Sequence, residues 1–428
     1  IIEFNNNTIK KLDYKLNKYF NDFIKEEYFE KEKIIFEKII SDKEYVNKNI
    51  SLKLESYLSA YLFNGKHYGA RATGYLDYYK NNIFLATGDG MFLYFSTDSL
   101  TGKFLELKKI KSNIKELIKT DIFNKKGNQY ETTIVGISIK DLKIIEDEIY
   151  ISFHNEVKKG CYNTSILKAK INLDYLFFEN FFIPRDCVKE ENKYGEFNLF
   201  HSGGRIINYK KDLILFSMGE YRYRDHAQDS NSIFGKIISI NKNTKNWKII
   251  SMGHRNPQGL YYDSKNDYIV STEHGPAGGD EINININPEI GGLKNYGWPI
   301  SSYGVHYDDK FERKSAPLYK SHKKYGFIEP LKFYSPSIGI SEIIKIPDKF
   351  NKYFKNDFLI CAMGTRLVEG DLSIHHLKFN EDFSNIIDQN VIQIGERVRD
   401  IIYVPQINKF LSYLESSGSI LVISNNQL

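Results

Sequence analysis

Between Gly253 and Pro299 the chain reads GHRNPQGLYYDSKNDYIVSTEHGPAGGDEINININPEIGGLKNYGWP, crowding guanidinium, imidazole, carboxylate and freed backbone into glycine-punctuated turns. A buried strand has no use for His254-Arg255-Asn256-Pro257-Gln258-Gly259 in a row, whereas a loop at the mouth of a rigid scaffold can use each group. Arg255 offers a planar fork for an anion, Asn256 and Gln258 offer amide donors, and Pro257 restricts a turn that Gly259 frees. Upstream, LFHSGGR sets His201 beside a glycine pair. A neutral imidazole there can take a proton from a hydroxyl, best when a carboxylate fixes its tautomer. Glu220, in the exit SMGEYR of the same hairpin, is the expected orienting carboxylate. Farther on, GERVRD puts Arg397 and Arg399 two residues apart, hence on one face of a strand.

These groups need a scaffold that delivers loops from distant parts of the chain to one place, and the sequence carries a repeat that does so. A polar turn triplet followed by an alternating apolar strand occurs at Lys80-Asn81-Asn82, Glu146-Asp147-Glu148, Lys210-Lys211-Asp212, Lys265-Asn266-Asp267, Lys355-Asn356-Asp357 and Ile407-Asn408-Lys409. A short apolar strand precedes each triplet, so the unit is strand, tight turn, strand, then a glycine-rich or polar exit. Repetition at roughly 40 to 60 residues predicts an all-β, six-bladed β-propeller of four-stranded antiparallel sheets. In HAQDSNSIFGKIISI, His226 to Ile240, the Asp and Ser cluster before Gly235 is read as a turn organised by side chain to backbone bonds.

A closed all-β repeat absorbs 428 residues in one domain, and the abundant Tyr and Phe suit its strands. The expected division is a propeller over residues 49–428 behind an N-terminal helical segment over residues 1–48. In that segment Ile9, Leu12, Leu16, Tyr19, Phe20 and Phe23 recur at helical spacing after Asn7 and Thr8. The chain opens on Ile1-Ile2 without an initiator Met, which is read as trimming or processing; one expectation is that an export signal or membrane anchor was removed, with the helix as a stalk and an extracytoplasmic, periplasmic or cell-surface setting. A net charge of +5 with Lys spread through turns is a solvated surface, so no nucleic-acid partner is expected. No run of about 18 apolar residues is present. Cys161, Cys187 and Cys361 are too few for a disulfide framework or a zinc site, and spacing does not decide for or against a single Cys161–Cys187 bridge.

GHRNPQG, EHGPxGGDE and NYGWP together resemble the soluble quinoprotein sugar dehydrogenases, the glucose/sorbosone and aldose sugar dehydrogenases that use pyrroloquinoline quinone. The resemblance runs from Leu199 to Ile423 and is densest between His201 and Pro299. It implies that His201, in the H-x-x-G-R element completed by Gly204 and Arg205, is the catalytic base, with Glu220 where the family has Asp. It further implies that Arg255, Asn256, Gln258, Arg397 and Arg399 hold the cofactor, that His274 contacts its edge, and that the carbonyls of Gly275 and Pro276 ligate calcium. Arg366, in AMGTR, stands in for a family Lys, and Phe200 replaces an acidic residue that often precedes the histidine. Glu273, Asp280 and Glu281 are read as loop braces, and Asn295 to Pro299 as a packing turn that buries the Trp298 ring.

The implied activity is oxidation of an aldose to its lactone: His201 takes the hydroxyl proton, Arg255 and calcium stabilise charge on the quinone, and an external acceptor then receives the electrons. Two other classes compete. A non-catalytic extracellular propeller of the hedgehog-interacting type would not need His201 with Arg255, Arg397 and Arg399, and a calcium-dependent lactone hydrolase would need a side-chain metal cluster that is not evident. Sugar selectivity is expected from the insertion Ser301 to Glu329, with Tyr303, His306, Tyr307, Tyr325 and Phe327.

Overall fold

The six polar triplets become tight turns because each supplies a residue that enters the left-handed region: Lys80, Glu146, Lys210, Asp267, Asn356 and Asn408 have φ between 46° and 60°. That conformation suits the right-handed twist of a hairpin, and short polar residues bear it at least cost. The computed structural model describes residues 32–47, 50–58, 73–118, 139–307, 314–364 and 369–426. In every repeat the triplet joins a first strand to an antiparallel second one, as in Tyr79 opposite Asn82 and Val404 opposite Lys409. The six first strands are Gly74–Tyr79, Ile139–Ile145, Gly203–Tyr209, Pro257–Asp263, Ile340–Lys345 and Val398–Val404. Each packs beside the next, and the last returns to the first, so they form a closed ring.

Outward from this ring run four-stranded antiparallel arrays such as Gly203–Tyr209, Leu213–Met218, Lys236–Asn241 and Trp247–Met252. Apolar side chains fill the space between neighbouring arrays: Tyr268, Val270 and Ile282 pack with Ile343, Phe358 and Ile360, and the Tyr261 ring meets Phe358 edge-on at 5.4 Å. The architecture is all-β and propeller-like. Cys161 and Cys187 form a disulfide with Cα atoms 5.4 Å apart. Among the described residues no helix is long and apolar enough to cross a membrane.

The N-terminal expectation needs correction. The helical spacing from Ile9 to Phe23 lies outside the described residues, but Lys33–Asn47 is a strand, not part of a helical segment ending at residue 48. Its local pattern has period two, with Ile34 and Phe36 buried and Ile35 exposed. It hairpins with Ile50–Leu58, which is itself the outer strand beside Ser419–Asn425. Lys33–Asn47 also pairs with Phe104–Ser112, the outer strand of the first array. The beginning of the chain thus laces the last array to the first, producing one ten-stranded sheet there.

At the centre of the ring a single guanidinium gathers the first strands. Arg205 Nη1 lies 2.7 Å from Asp141 Oδ1 and 3.0 Å from Asp400 Oδ1, and Nε lies 2.5 Å from Glu342 Oε2. Nε also donates to the Gln258 carbonyl, and the guanidinium stands 5.7 Å from the Tyr75 ring centroid. Removing it strands three buried carboxylates, so Arg205→Met is expected to lower unfolding free energy by about 3–5 kcal/mol, read from urea denaturation at neutral pH. Burial raises the pKa of Asp141 to about 6 and raises that of Glu342 as well. Folded values above the unfolded ones mean that the stability tied to these two protonated carboxyls is full below the ordinary carboxylate range and is lost as pH rises through about 6 and beyond. Glu342→Gln should flatten that decline; a decline of unchanged slope would place its origin elsewhere.

Candidate active site

The functional side chains collect where first strands begin and second strands end, because both positions lie at the same rim of the ring. His201 precedes the strand Gly203–Tyr209, and Glu220 follows Leu213–Met218. Backbone bonds join the two loops: Tyr221 N donates to the His201 carbonyl, and Glu220 N donates to that of Arg255. Gly203 and Gly204, at φ 64° and 117°, make the bend between the histidine and the strand. His201 Nδ1 then lies 3.0 Å from Glu220 Oε1, and Nε2 lies 3.3 Å from Arg255 Nη2. A carboxylate accepts only, so the bond assigns the proton to Nδ1 and leaves a lone pair on Nε2. Burial, followed by the Arg255 charge, pushes the His201 pKa well below the usual histidine value, so the imidazole is neutral at pH 7. Burial raises Glu220 above its ordinary value, with Arg255 and Arg224 opposing.

His201 and Arg255 open onto a cavity of about 400 Å³ that is also lined by Asn256, Gln258, His274, Gly275, Arg397 and Arg399. Most of the predicted cofactor residues therefore share one wall or floor, while Arg366 lies outside the described residues. Each is held by a specific partner. Arg255 donates from its backbone to Glu273 and from Nη1 to the His274 carbonyl, with its guanidinium 5.3 Å from the Trp298 ring centroid. Asn256 accepts from Gly203 N and donates to the Phe200 carbonyl, so it secures the histidine loop while facing the cavity. Gln258 donates to Asn256. His274 Nδ1 stands 3.9 Å from Asp280, which also accepts from Gly275 N. Only glycine fits at Gly275, where an added Cβ would meet the Gly279 carbonyl at 2.0 Å.

A smaller cavity of about 110 Å³ adjoins the first, sharing His201, Arg222, Arg255 and Tyr307 and adding Glu220, Pro276, Trp298 and His306. Trp298 is buried, as the packing reading has it, yet its ring also walls this cavity beside the histidine. Of the insertion residues, His306 and Tyr307 reach the site. Tyr303 instead stacks on Phe333 at 3.9 Å, and Tyr325 stacks on Tyr319 at 4.0 Å. Glu273 and Asp280 brace loops by the bonds above, and Lys236 Nζ donates to the carbonyls of His226, Ala227 and Phe234.

Thr73, Lys140, Arg222 and Glu415 also line the cavity, and sequence reasoning missed all of them. Glu415 accepts from Arg397 Nε at 2.7 Å, from Arg399 Nη2 at 2.6 Å and from the Thr73 hydroxyl at 2.5 Å. Its signal is positional, since it occupies in the last repeat the exit that Glu220 and Glu273 occupy in the third and fourth. Although burial works against ionisation, the two arginines hold its carboxyl far below the ordinary range. Five cationic lining residues face two carboxylates, Asp280 and Glu415, and this surplus with that volume suits a flat polyanion.

The sequence profile of the family described as Glucose / Sorbosone dehydrogenase matches residues 128–422, and the chain belongs to that family. The aldose sugar dehydrogenase YliI of Escherichia coli is 29% identical over 238 residues, 52% of this chain and 60% of that protein. An uncharacterized protein of Synechocystis is 30% identical over 247 residues, 52% of this chain and 55% of that protein. The chain thus spans a little over half the length of the curated relatives it matches. The solved soluble aldose sugar dehydrogenase of E. coli, in its apo form, has a similar fold, with TM-score 0.63 and 19% identity over 88% of this chain and all of that one. The PQQ-bound aldose sugar dehydrogenase of Streptomyces coelicolor follows at TM-score 0.53 and 16% identity, covering 80% of this chain and 90% of that chain.

Glu415→Gln should cost about 3–5 kcal/mol at neutral pH by leaving two buried guanidinium groups without their shared carboxylate. A folded pKa below the unfolded one contributes stability above the ordinary carboxylate range and loses it as pH falls through the folded value. The gap between variant and wild type in thermal unfolding should therefore persist at pH 5 and close only in stronger acid; an equal gap at pH 2 would contradict the ion-pair account.

Proposed function

We propose that the protein is a quinoprotein oxidoreductase that oxidises an aldose sugar to its lactone with pyrroloquinoline quinone as cofactor. The observation that carries this reading is a neutral His201, oriented by Glu220, opening with Arg255 onto a cavity that Arg397 and Arg399 also line. On this reading Arg255, Arg397 and Arg399 receive carboxylate and quinone oxygens, Gln258 and His274 contact the cofactor, and Arg366, outside the described residues, is assigned to it as well. When bound, the quinone supplies the two-electron acceptor for the sugar C–H hydride. His201 Nε2 accepts the hydroxyl proton, and Glu220 stabilises the imidazolium that results. Arg255 Nη2 now occupies that lone pair's direction, so the incoming hydroxyl takes the place of the arginine contact.

Calcium belongs to the same proposal, ligated by the carbonyls of Gly275 and Pro276. Gly275 lines the larger cavity and Pro276 the smaller, whereas no group of three or more His, Cys, Asp or Glu side chains fit to hold a metal occurs among the described residues. Carbonyl ligation completed by a polyanionic cofactor is the chemistry such a donor set can offer a hard cation. The proposed architecture is a six-bladed propeller in which the ten-stranded sheet counts as two four-stranded blades, the lacing strand Lys33–Asn47 and the short strand Tyr175–Leu176 on the edge of the first blade. We place it outside the cytoplasm, passing electrons to an external acceptor; the Cys161–Cys187 bridge supports an oxidising compartment. A membrane anchor upstream of Ile1 is part of the same proposal.

His201→Ala should retain quinone binding while losing roughly two or more orders of magnitude in dye-coupled aldose turnover; unchanged turnover at saturating sugar removes His201 from the mechanism. If quinone and calcium share one site, each must raise the other's affinity by the same factor. Titration calorimetry of quinone with and without calcium tests this: equal affinities refute the shared site at Gly275 and Pro276, and no quinone binding in either condition favours a non-catalytic binding propeller.

A further inference from the structure

Lys140 lies in the ring strand Ile139–Ile145 and belongs to no motif. Its residue is only 6% exposed, yet it lines the larger cavity together with Arg397, Arg399 and Glu415. The stem is closely packed: a Cβ added to Gly204 would come within 2.6 Å of Lys140 Cβ and 3.2 Å of Ser152 Oγ, so glycine at that place in HSGGR makes room for it. The neighbouring Asp141 faces the other way, toward Arg205. Glu415, the carboxylate nearest in charge, is taken by Thr73, Arg397 and Arg399. No hydrogen bond or ion pair to Lys140 Nζ forms among the described residues. A buried ammonium without a counter-ion is costly, and a cavity that keeps one is built to receive an anion.

We infer that Lys140 joins Arg397 and Arg399 as a third anion-binding cation lining the cavity, receiving a carboxylate of the bound cofactor and taking up a proton as it does so. The inference rests on the quinone reading above. Charged groups act on Lys140 from two arrays, Arg399 and Glu415 from the last and Arg205 from the third. Burial and then Arg399 lower the Lys140 pKa to about 7, with Glu415 opposing. In the free protein near neutrality a fraction of Lys140 is therefore uncharged, and an arriving carboxylate draws a proton onto it. Below about pH 7 the proton is already present; above it, binding must recruit one, so affinity falls as pH rises. His201, held well below its usual value, does not titrate in that window.

The test is calorimetric titration of pyrroloquinoline quinone into the full chain with calcium, at pH from about 6 to 9 and in two buffers of different ionisation enthalpy. Wild type should take up a fraction of a proton at pH 7 and bind more weakly at pH 9. Lys140→Met should bind at least about tenfold more weakly at pH 7 with no proton uptake, while its ligand-free thermal midpoint stays level or rises because a buried charge is gone. Lys140→Arg should retain tight binding with the proton uptake abolished, which decides the matter if the Met variant does not fold. Wild-type affinity with wild-type proton uptake in either variant overturns the role of Lys140 alone. Failure of the wild type to bind quinone at any pH overturns the cofactor reading and this inference with it.

Discussion

The contact of Arg205 with Asp141, Glu342 and Asp400 decides how the six first strands meet. Strands around a ring pair within their own arrays and not across the centre, so nothing in the hydrogen-bond ladders fixes their mutual approach. One guanidinium does so here, because its five donors lie in a plane and can serve carboxylates from several directions at once. Asp400 adds a bond to Leu76 N and Asp141 one to Ile206 N, which extends the cluster into the backbone of the first and third arrays. The charge balance is negative, and burial answers it by raising carboxyl pKa values until protons share the cluster. His201 lies four residues before this hub on the same segment, so the position of the candidate base is set by the ring itself.

That arrangement explains why one repeat can build a site from remote segments. Each exit and each entry of the repeated hairpin lies at the same rim, and the chain uses them in pairs: His201 with Glu220, Arg255 with Glu273, Arg397 with Glu415. In every pair a group that can face a ligand stands before a first strand, and a buried carboxylate at or just after the end of the second strand holds it. Glu273 bonds the Arg255 backbone and not its guanidinium, which donates to the His274 carbonyl, whereas Glu415 grips both Arg397 and Arg399 through their side chains. The two kinds of support have different consequences. The first fixes position without neutralising charge; the second offsets part of the charge the cavity offers.

The hairpins were legible because turn chemistry is local: a polar triplet with one residue at positive φ needs nothing distant to form. The loops around His201 and Arg255 were legible for a related reason, since polar groups concentrated beside glycines have no structural use in a strand. The lacing at the ends of the chain was not. Lys33–Asn47 looks like a continuation of an amphipathic segment until its partner Phe104–Ser112 is known, and the pairings that do the lacing, that one and Ile50–Leu58 with Ser419–Asn425, join residues far apart in sequence. Thr73 and Lys140 sit in strands or at their edges without local oddity, so only the closure of the ring brings them to the cavity. Arg222 is intermediate, because Tyr221 and Arg222 both adopt positive φ, at 53° and 65°, which the sequence YRYR does not announce.

The electrostatics of the site carry an internal opposition. Cations gathered to hold an anion also act on His201, and Arg255 and Arg222 both depress its pKa. A base lowered in this way is always available in its neutral form at pH 7 but is correspondingly weak, since Brønsted behaviour ties proton affinity to driving force. Glu220 offsets the weakness only when the imidazolium forms, because its charge then faces a cation at hydrogen-bond distance. Burial restrains even that, for it raises Glu220 as it lowers His201. Any polyanion that enters the cavity cancels part of the surplus around Arg255 and so strengthens the base it sits beside. Occupation of the cavity and proton abstraction are therefore coupled through charge alone, before any contact between ligand and histidine is counted.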